Sequence, residues 1–102
     1  MKITHCLDGQ GVSRLALSGE LDMASADAFH AQVQQALASD RPNQLIIDLA
    51  ALTFCDSTGI RALVDARAAV LACQVAFRVV NPRGVPRRVM RVTGVLDVLT
   101  AV

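Results

Sequence analysis

The stretch Phe54-Cys55-Asp56-Ser57-Thr58-Gly59-Ile60 is where side-chain chemistry concentrates in this chain. A hydroxyl beside a carboxylate, just before a segment of helical periodicity, has two readings. Asp56, Ser57 and Thr58 are ordinary helix-capping residues, able to accept the free N–H groups of a first turn. The same spot also tolerates added negative charge, because the unpaired N–H groups and the helix dipole favour anions there. A phosphoryl group on Ser57 would add roughly −1.5 to −2 charges at neutral pH. The helix would survive while its surface changed character, which suits a switch. Ser57 as a hydrolase nucleophile is the weaker idea: the Gly-x-Ser-x-Gly elbow is missing and no positioned histidine base is supplied nearby in sequence.

Other candidates are sparser. Asp22 stands between a strand and a helix, as a turn residue or as part of an acceptor surface. Arg61 and Asp65 form an i, i+4 pair. Arg83, Arg87, Arg88 and Arg91 form a local basic cluster, read first as a solvated helix face and second as a contact for an acidic partner. His5 and His30 lack ligand-spaced carboxylates or cysteines and read as structural or exposed. The three cysteines, Cys6, Cys55 and Cys73, are odd in number and widely spaced, indicating neither a disulfide framework nor a zinc site. Their apolar sequence surroundings suggest buried free thiols. No Gly-rich phosphate loop occurs. No catalytic residue, metal or cofactor is therefore expected.

These residues must be positioned by a regular frame. Ile3 to Leu7 and Val12 to Ser18 read as two strands joined through Asp8-Gly9 and Gly11, with Gly19 ending the second. Ser25 to Ser39 reads as a helix, with Phe29, Val33 and Leu37 on one face and Ser25 as its cap. Leu45 to Leu49 is a nearly continuous apolar run, expected as a strand buried on both faces of a parallel sheet. Ser57 to Ala72 reads as a second helix with Ile60, Leu63, Val64 and Leu71 as its stripe. Val75 to Val80 is a further strand ended by Asn81-Pro82. Pro86 opens a short helix that Gly94 terminates. The second half is βαβα, so the fold is α/β with a mixed sheet of four to five strands and helices packed against it.

The 102 residues suffice for one domain, 1–102, and 53% of them are hydrophobic, so a packed core is expected. The net charge of +1 and an aromatic content of 3% argue against nucleic-acid binding. The N-terminus carries no signal-peptide run and no stretch approaches a membrane span, so a soluble cytoplasmic protein with no membrane partner is expected.

Three pieces of the chain, in order, resemble the STAS domain family and its anti-sigma factor antagonists. They are Leu17-Ser18-Gly19-Glu20-Leu21-Asp22; Ile46-Ile47-Asp48-Leu49 with Phe54-Cys55-Asp56-Ser57-Thr58-Gly59-Ile60; and Val79-Val80-Asn81-Pro82 followed by the arginine-rich helix and Val92-Thr93-Gly94-Val95-Leu96. The last piece departs slightly, with Val95 between Gly94 and Leu96. The resemblance implies a regulator that is not an enzyme. Unphosphorylated, it binds an anti-sigma factor that is also a serine kinase, and phosphorylation of Ser57 releases it; a serine phosphatase would reverse the mark. It matches Asp22 and Asp56 to acidic positions beside the acceptor. Both follow a strand and lead into a helix, connections that gather at one pole of an open α/β sheet, so a partner surface of Asp22, Asp56, Ser57, Thr58, Gly59 and Arg61 is expected. STAS domains also serve as accessory subunits of lipid-transport ATPases, an alternative role in which the switch is absent.

Overall fold

Alternation of apolar and polar residues builds the first half of the sheet. Ser13, Leu15 and Leu17 point to one side of their strand and are buried, while Arg14 and Ala16 point to the other. In the computed structural model, which describes residues 1–101, strands β1 (Lys2–Leu7) and β2 (Val12–Leu21) form an antiparallel hairpin. The Asp8 carboxylate closes its turn, accepting the backbone N–H groups of Gln10 at 2.7 Å and Val12 at 3.0 Å. Strand β3 (Gln44–Cys55) pairs in parallel with β2 on one side and with β4 (Ala76–Val80) on the other, giving the order β1-β2-β3-β4. Helices α1 (Ala26–Asp40) and α2 (Ser57–Ala72) make the crossovers; α3 (Gly84–Val92) and α4 (Leu96–Thr100) follow β4.

The helices cover the face that carries Leu15, Leu17, Leu45, Ile47, Leu49, Phe77 and Val79. Phe29 and Val33 of α1, Ile60, Leu63 and Val70 of α2, Met90 of α3 and Leu99 of α4 join these in one cluster. The core is mostly aliphatic, as the scarcity of aromatics suggests, but it takes in Phe29 and Phe77, two of the chain's three phenylalanines. The other face of the sheet holds Arg14, Ala16, Ile46, Asp48, Arg78 and Val80, each only half-buried. There Arg14 Nη2 donates to Asp48 Oδ2 at 3.0 Å, and Asn81 Nδ2 donates to Asp48 Oδ1 at 3.1 Å. Burial pushes the Asp48 carboxyl up, but hydrogen bonds from the Ala50 N–H, Asn81 and Arg14, with the arginine's charge, outweigh it and hold the group below its ordinary 3.8.

Several expectations change. The run Leu45 to Leu49 alternates between buried and half-buried residues, because helices cover only one face of the sheet. β2 passes through Gly19 to Leu21, and β3 continues to Cys55, since the two strands keep pairing there through two register shifts. Val64 and Leu71 are exposed; the buried stripe of α2 is Ile60, Leu63, Ala66 and Val70, which follows the 3.6 period more closely. Ser25 makes no cap bond to α1. Cys6 and Cys73 are exposed, and only Cys55 is buried. A fourth helix, α4, lies beyond Gly94 where none was read.

A polar clasp joins the edge of the sheet to α1. His5 Nε2 lies 2.6 Å from Asp40 Oδ2, and the buried Ser13 hydroxyl donates to the same oxygen at 2.8 Å. His5 is thus structural, as expected, and it tethers β1 and β2 to the last residue of α1. The Ser13 hydrogen bond is the main influence holding the Asp40 carboxyl below 3.8; burial opposes it and the bond and charge of His5 assist.

Two measurements check this frame. Ile47→Ala, at a fully buried position of β3, should cost about 2–5 kcal/mol in denaturant unfolding; near-native stability would contradict the burial. The depressed Asp40 carboxyl stabilises the fold above its unfolded pKa, and that contribution fades as pH falls through its folded value. The melting-temperature gap between wild type and Asp40→Asn should therefore be full at neutral pH and shrink below about pH 4. A gap that is constant down to the lowest pH would show that Asp40 does not titrate in this way.

Candidate functional site

The site sits where β2 and β3 end side by side. Leu21 pairs with Cys55 in the parallel register, so Asp22 and Asp56, each one residue further on, leave neighbouring strands together. Strand-to-helix connections of an open α/β sheet gather at this pole. The two carboxylates are far apart in sequence, and the register brings them to the same edge.

Each carboxylate has a definite backbone task. Asp56 is the N-cap of α2, with an extended backbone, and its Oδ1 accepts the Gly59 N–H at 2.9 Å. Asp22 Oδ1 accepts the N–H groups of Ala24 at 3.0 Å and Ser25 at 3.2 Å. Ser25, mostly buried, reaches back: its hydroxyl donates to the Glu20 carbonyl at 2.9 Å and accepts the Asp22 N–H at 3.0 Å. Together they knot the loop between β2 and α1 into a fixed shape. Ser25 therefore serves the loop and not the helix it was expected to cap.

Ser57 is the first residue of α2 and is exposed. Among the described residues no hydrogen bond reaches its hydroxyl, because Asp56 already caps the helix. Thr58 beside it is half-buried. Gly59 is buried at the closest approach in the site. A Cβ there would collide with the Leu21 carbonyl oxygen and stand 2.7 Å from Cys55 Sγ. Only glycine lets the first turn of α2 rest on the end of β2. Burial, with the charge of Asp56, pushes the Cys55 thiol up to about 12, so it stays protonated and is a poor nucleophile.

Arg61 lies one turn on, its side chain 78% exposed, with Nε donating to Asp65 at 3.1 Å. Such a surface pair is worth under about 1 kcal/mol, so Arg61 stays available to a partner. Of the six residues expected on the partner surface, Asp22 and Asp56 through Gly59 gather around the ends of β2 and β3, and Arg61 follows along α2. Sequence reasoning missed two exposed apolar residues beside these positions. Met23 is 79% exposed in the knotted loop, and Phe54 is 40% exposed at the end of β3. The available signal was a large apolar residue close to each acid, Met23 directly after Asp22 and Phe54 two residues before Asp56. Among the described residues there is no cluster of three metal-ligating side chains, and no helix is long and apolar enough to cross a membrane.

The STAS domain family model matches residues 9–101. The chain belongs to the STAS domain family. It is similar to RsfB of Mycobacterium tuberculosis, an anti-sigma-F factor antagonist, with 34% identity over 87 residues that cover 85% of this chain and 70% of that protein. The crystal structure of an anti-sigma factor antagonist from Mycobacterium paratuberculosis matches with a TM-score of 0.79 at 35% identity, covering 98% of this chain and 84% of that one. The anti-sigma factor antagonist SpoIIAA in its unphosphorylated form also has a TM-score of 0.79, at 20% identity over 94% of this chain and 84% of that one, a likeness of fold. The fold and family expected from the three sequence pieces are thus established.

Within this STAS domain the Gly59 contact makes a sharp expectation. Gly59→Ala should cost about 1–3 kcal/mol, as overpacking does, by pushing α2 off Leu21. Thermal unfolding beside Ala62→Gly, a change on the same helix away from the contact, separates steric conflict from helix propensity. A stability gain in Gly59→Ala, as propensity alone predicts, would refute the close approach.

Proposed function

We propose that this STAS protein is an anti-sigma factor antagonist, a regulator and not an enzyme, switched by phosphorylation of Ser57. The observation that carries the reading is the division of roles at the start of α2. Asp56 holds the cap while Ser57 is exposed and its hydroxyl makes no hydrogen bond among the described residues. A phosphoryl group on Ser57 would displace no structural bond, and the N-terminus of the helix would accept its charge.

The named relatives bring the partner class. Unphosphorylated, the chain binds an anti-sigma factor through Asp22, Met23, Phe54, Asp56, Ser57, Thr58, Gly59 and Arg61, and so frees a sigma factor for transcription. The anti-sigma factor acts as serine kinase: the Ser57 oxygen takes the terminal phosphoryl group of ATP, ADP leaves, and the hydroxyl proton passes to a base or water in the kinase site. A serine phosphatase restores the hydroxyl. Beside Asp22 and Asp56, the added charge repels the acidic rim and must be desolvated at the interface, which weakens the complex. All of this takes place in the cytoplasm.

Incubation with the cognate anti-sigma factor and ATP, followed by peptide mapping, should place phosphate on Ser57; phosphate confined to Thr58 or Ser25 would overturn the assignment. Ser57→Ala should stay folded and bind the partner, and Ser57→Asp should bind it at least about tenfold more weakly, a difference of roughly 1.4 kcal/mol in calorimetry. Equal affinities would contradict the switch.

A further inference from the structure

Helix α3 carries Arg83 at its N-cap and Arg87, Arg88 and Arg91 within it, all exposed. Arg83, Arg87 and Arg91 recur at i, i+4 and i+8 and line one side, with Arg88 beside them. Among the described residues none of the four takes part in an ion pair. α3 itself holds no acidic residue; Asp97 shares with Arg91 a hollow of about 260 Å³ that Gly94 and Leu96 also line. Like charges at this spacing repel one another, so the strip is built at a cost that a bound anionic group would relieve. Met90 packs in the core and Pro86 is buried beside it, while Val85 and Val92 are exposed near the two ends of the helix.

The strip does not stand alone. At its start, Arg83, Gly84, Val85 and Pro86 face Ala50, Leu52 and Thr53 of β3 across a hollow of about 330 Å³. Its walls offer apolar surface from Ala50, Leu52, Val85 and Pro86 beside the guanidinium of Arg83. We propose that α3 and this hollow form a docking site for an acidic segment of a protein partner, carboxylates on the arginines and one aliphatic side chain in the hollow.

Charge complementarity and shape choose this occupant. Guanidinium groups bind carboxylates in bidentate geometry. The nine residues of α3 span about 13 Å, the length of about four extended residues. A membrane is disfavoured because amphipathic helices enter bilayers by a continuous apolar face, and here Pro86 and Met90 are buried while the exposed valines, Val85 and Val92, stand at opposite ends of the helix. A nucleic acid is disfavoured because the whole chain carries a net charge of only +1 and no aromatic side chain interleaves the arginines of α3. The inference is independent of the Ser57 switch and stands or falls without it.

The test uses the full chain and a fluorescein-labelled glutamate peptide with one central leucine, read by anisotropy. The peptide should bind saturably at about 20 mM salt and weaken towards 200 mM, as screening requires. Arg87→Glu with Arg91→Glu should lose about tenfold or more in affinity, and Arg87→Gln with Arg91→Gln should lose less, which guards against a misfolded first variant. Lys2→Glu with Arg41→Glu changes net charge equally, away from the strip, and should bind like wild type. The proposal is overturned if the peptide does not saturate, if both charge-reversed pairs lose affinity alike, or if a short DNA duplex or phosphatidylglycerol vesicles bind more tightly than the peptide.

Discussion

The site depends on one absence of atoms. Residue 59 has no side chain, and so the first turn of α2 can lie against the Leu21 carbonyl at the end of β2. That contact fixes where α2 begins relative to the neighbouring strand. The parallel pairing of Leu21 with Cys55 fixes the same boundary from inside the sheet. With both in place, the loop at Asp22 and the helix start at Asp56 have nowhere to move independently. Packing density in protein interiors leaves little slack to absorb a methyl group at such a point.

The rest of the molecule supplies rigidity to this pole. The buried aliphatic cluster holds four helices to one face of the sheet. On the far face, the Asp48 carboxylate gathers Arg14, Ala50 and Asn81 from three segments. The His5, Ser13 and Asp40 clasp anchors the edge of the sheet to the end of α1. Polar groups that are satisfied in this way specify one arrangement more than they add stability.

Much of this was legible in the residues. The period-2 pattern of Ser13, Leu15 and Leu17, the apolar run at Leu45, and the recurrence of Phe29 and Val33 placed most elements. The order of strand and helix placed Asp22 and Asp56 at one pole. What escaped reading depended on long-range pairing. Ala50 to Cys55 looks like a loop because Ala50 and Ala51 carry little strand character and interrupt the apolar run. It becomes strand only because β2 offers a partner. The covering of only one face by helices likewise could not be read from Ile46, whose apolar side chain looks the same whether a helix covers it or not. Met23 and Phe54 were passed over because an apolar residue is ordinarily assigned to the core. The clasp at His5 joins residues 35 apart in sequence, beyond any spacing rule.

Asp56 and Ser57 are adjacent in the chain yet unequal in obligation. Position 56 owes its carboxylate to the helix, whereas position 57 owes the fold almost nothing. In evolutionary terms the second position is a free variable next to a fixed one. A descendant chain can exchange a serine for threonine, alanine or an acid there and keep its architecture, so that an exposed hydroxyl is gained or lost in one codon while the inherited scaffold is left alone.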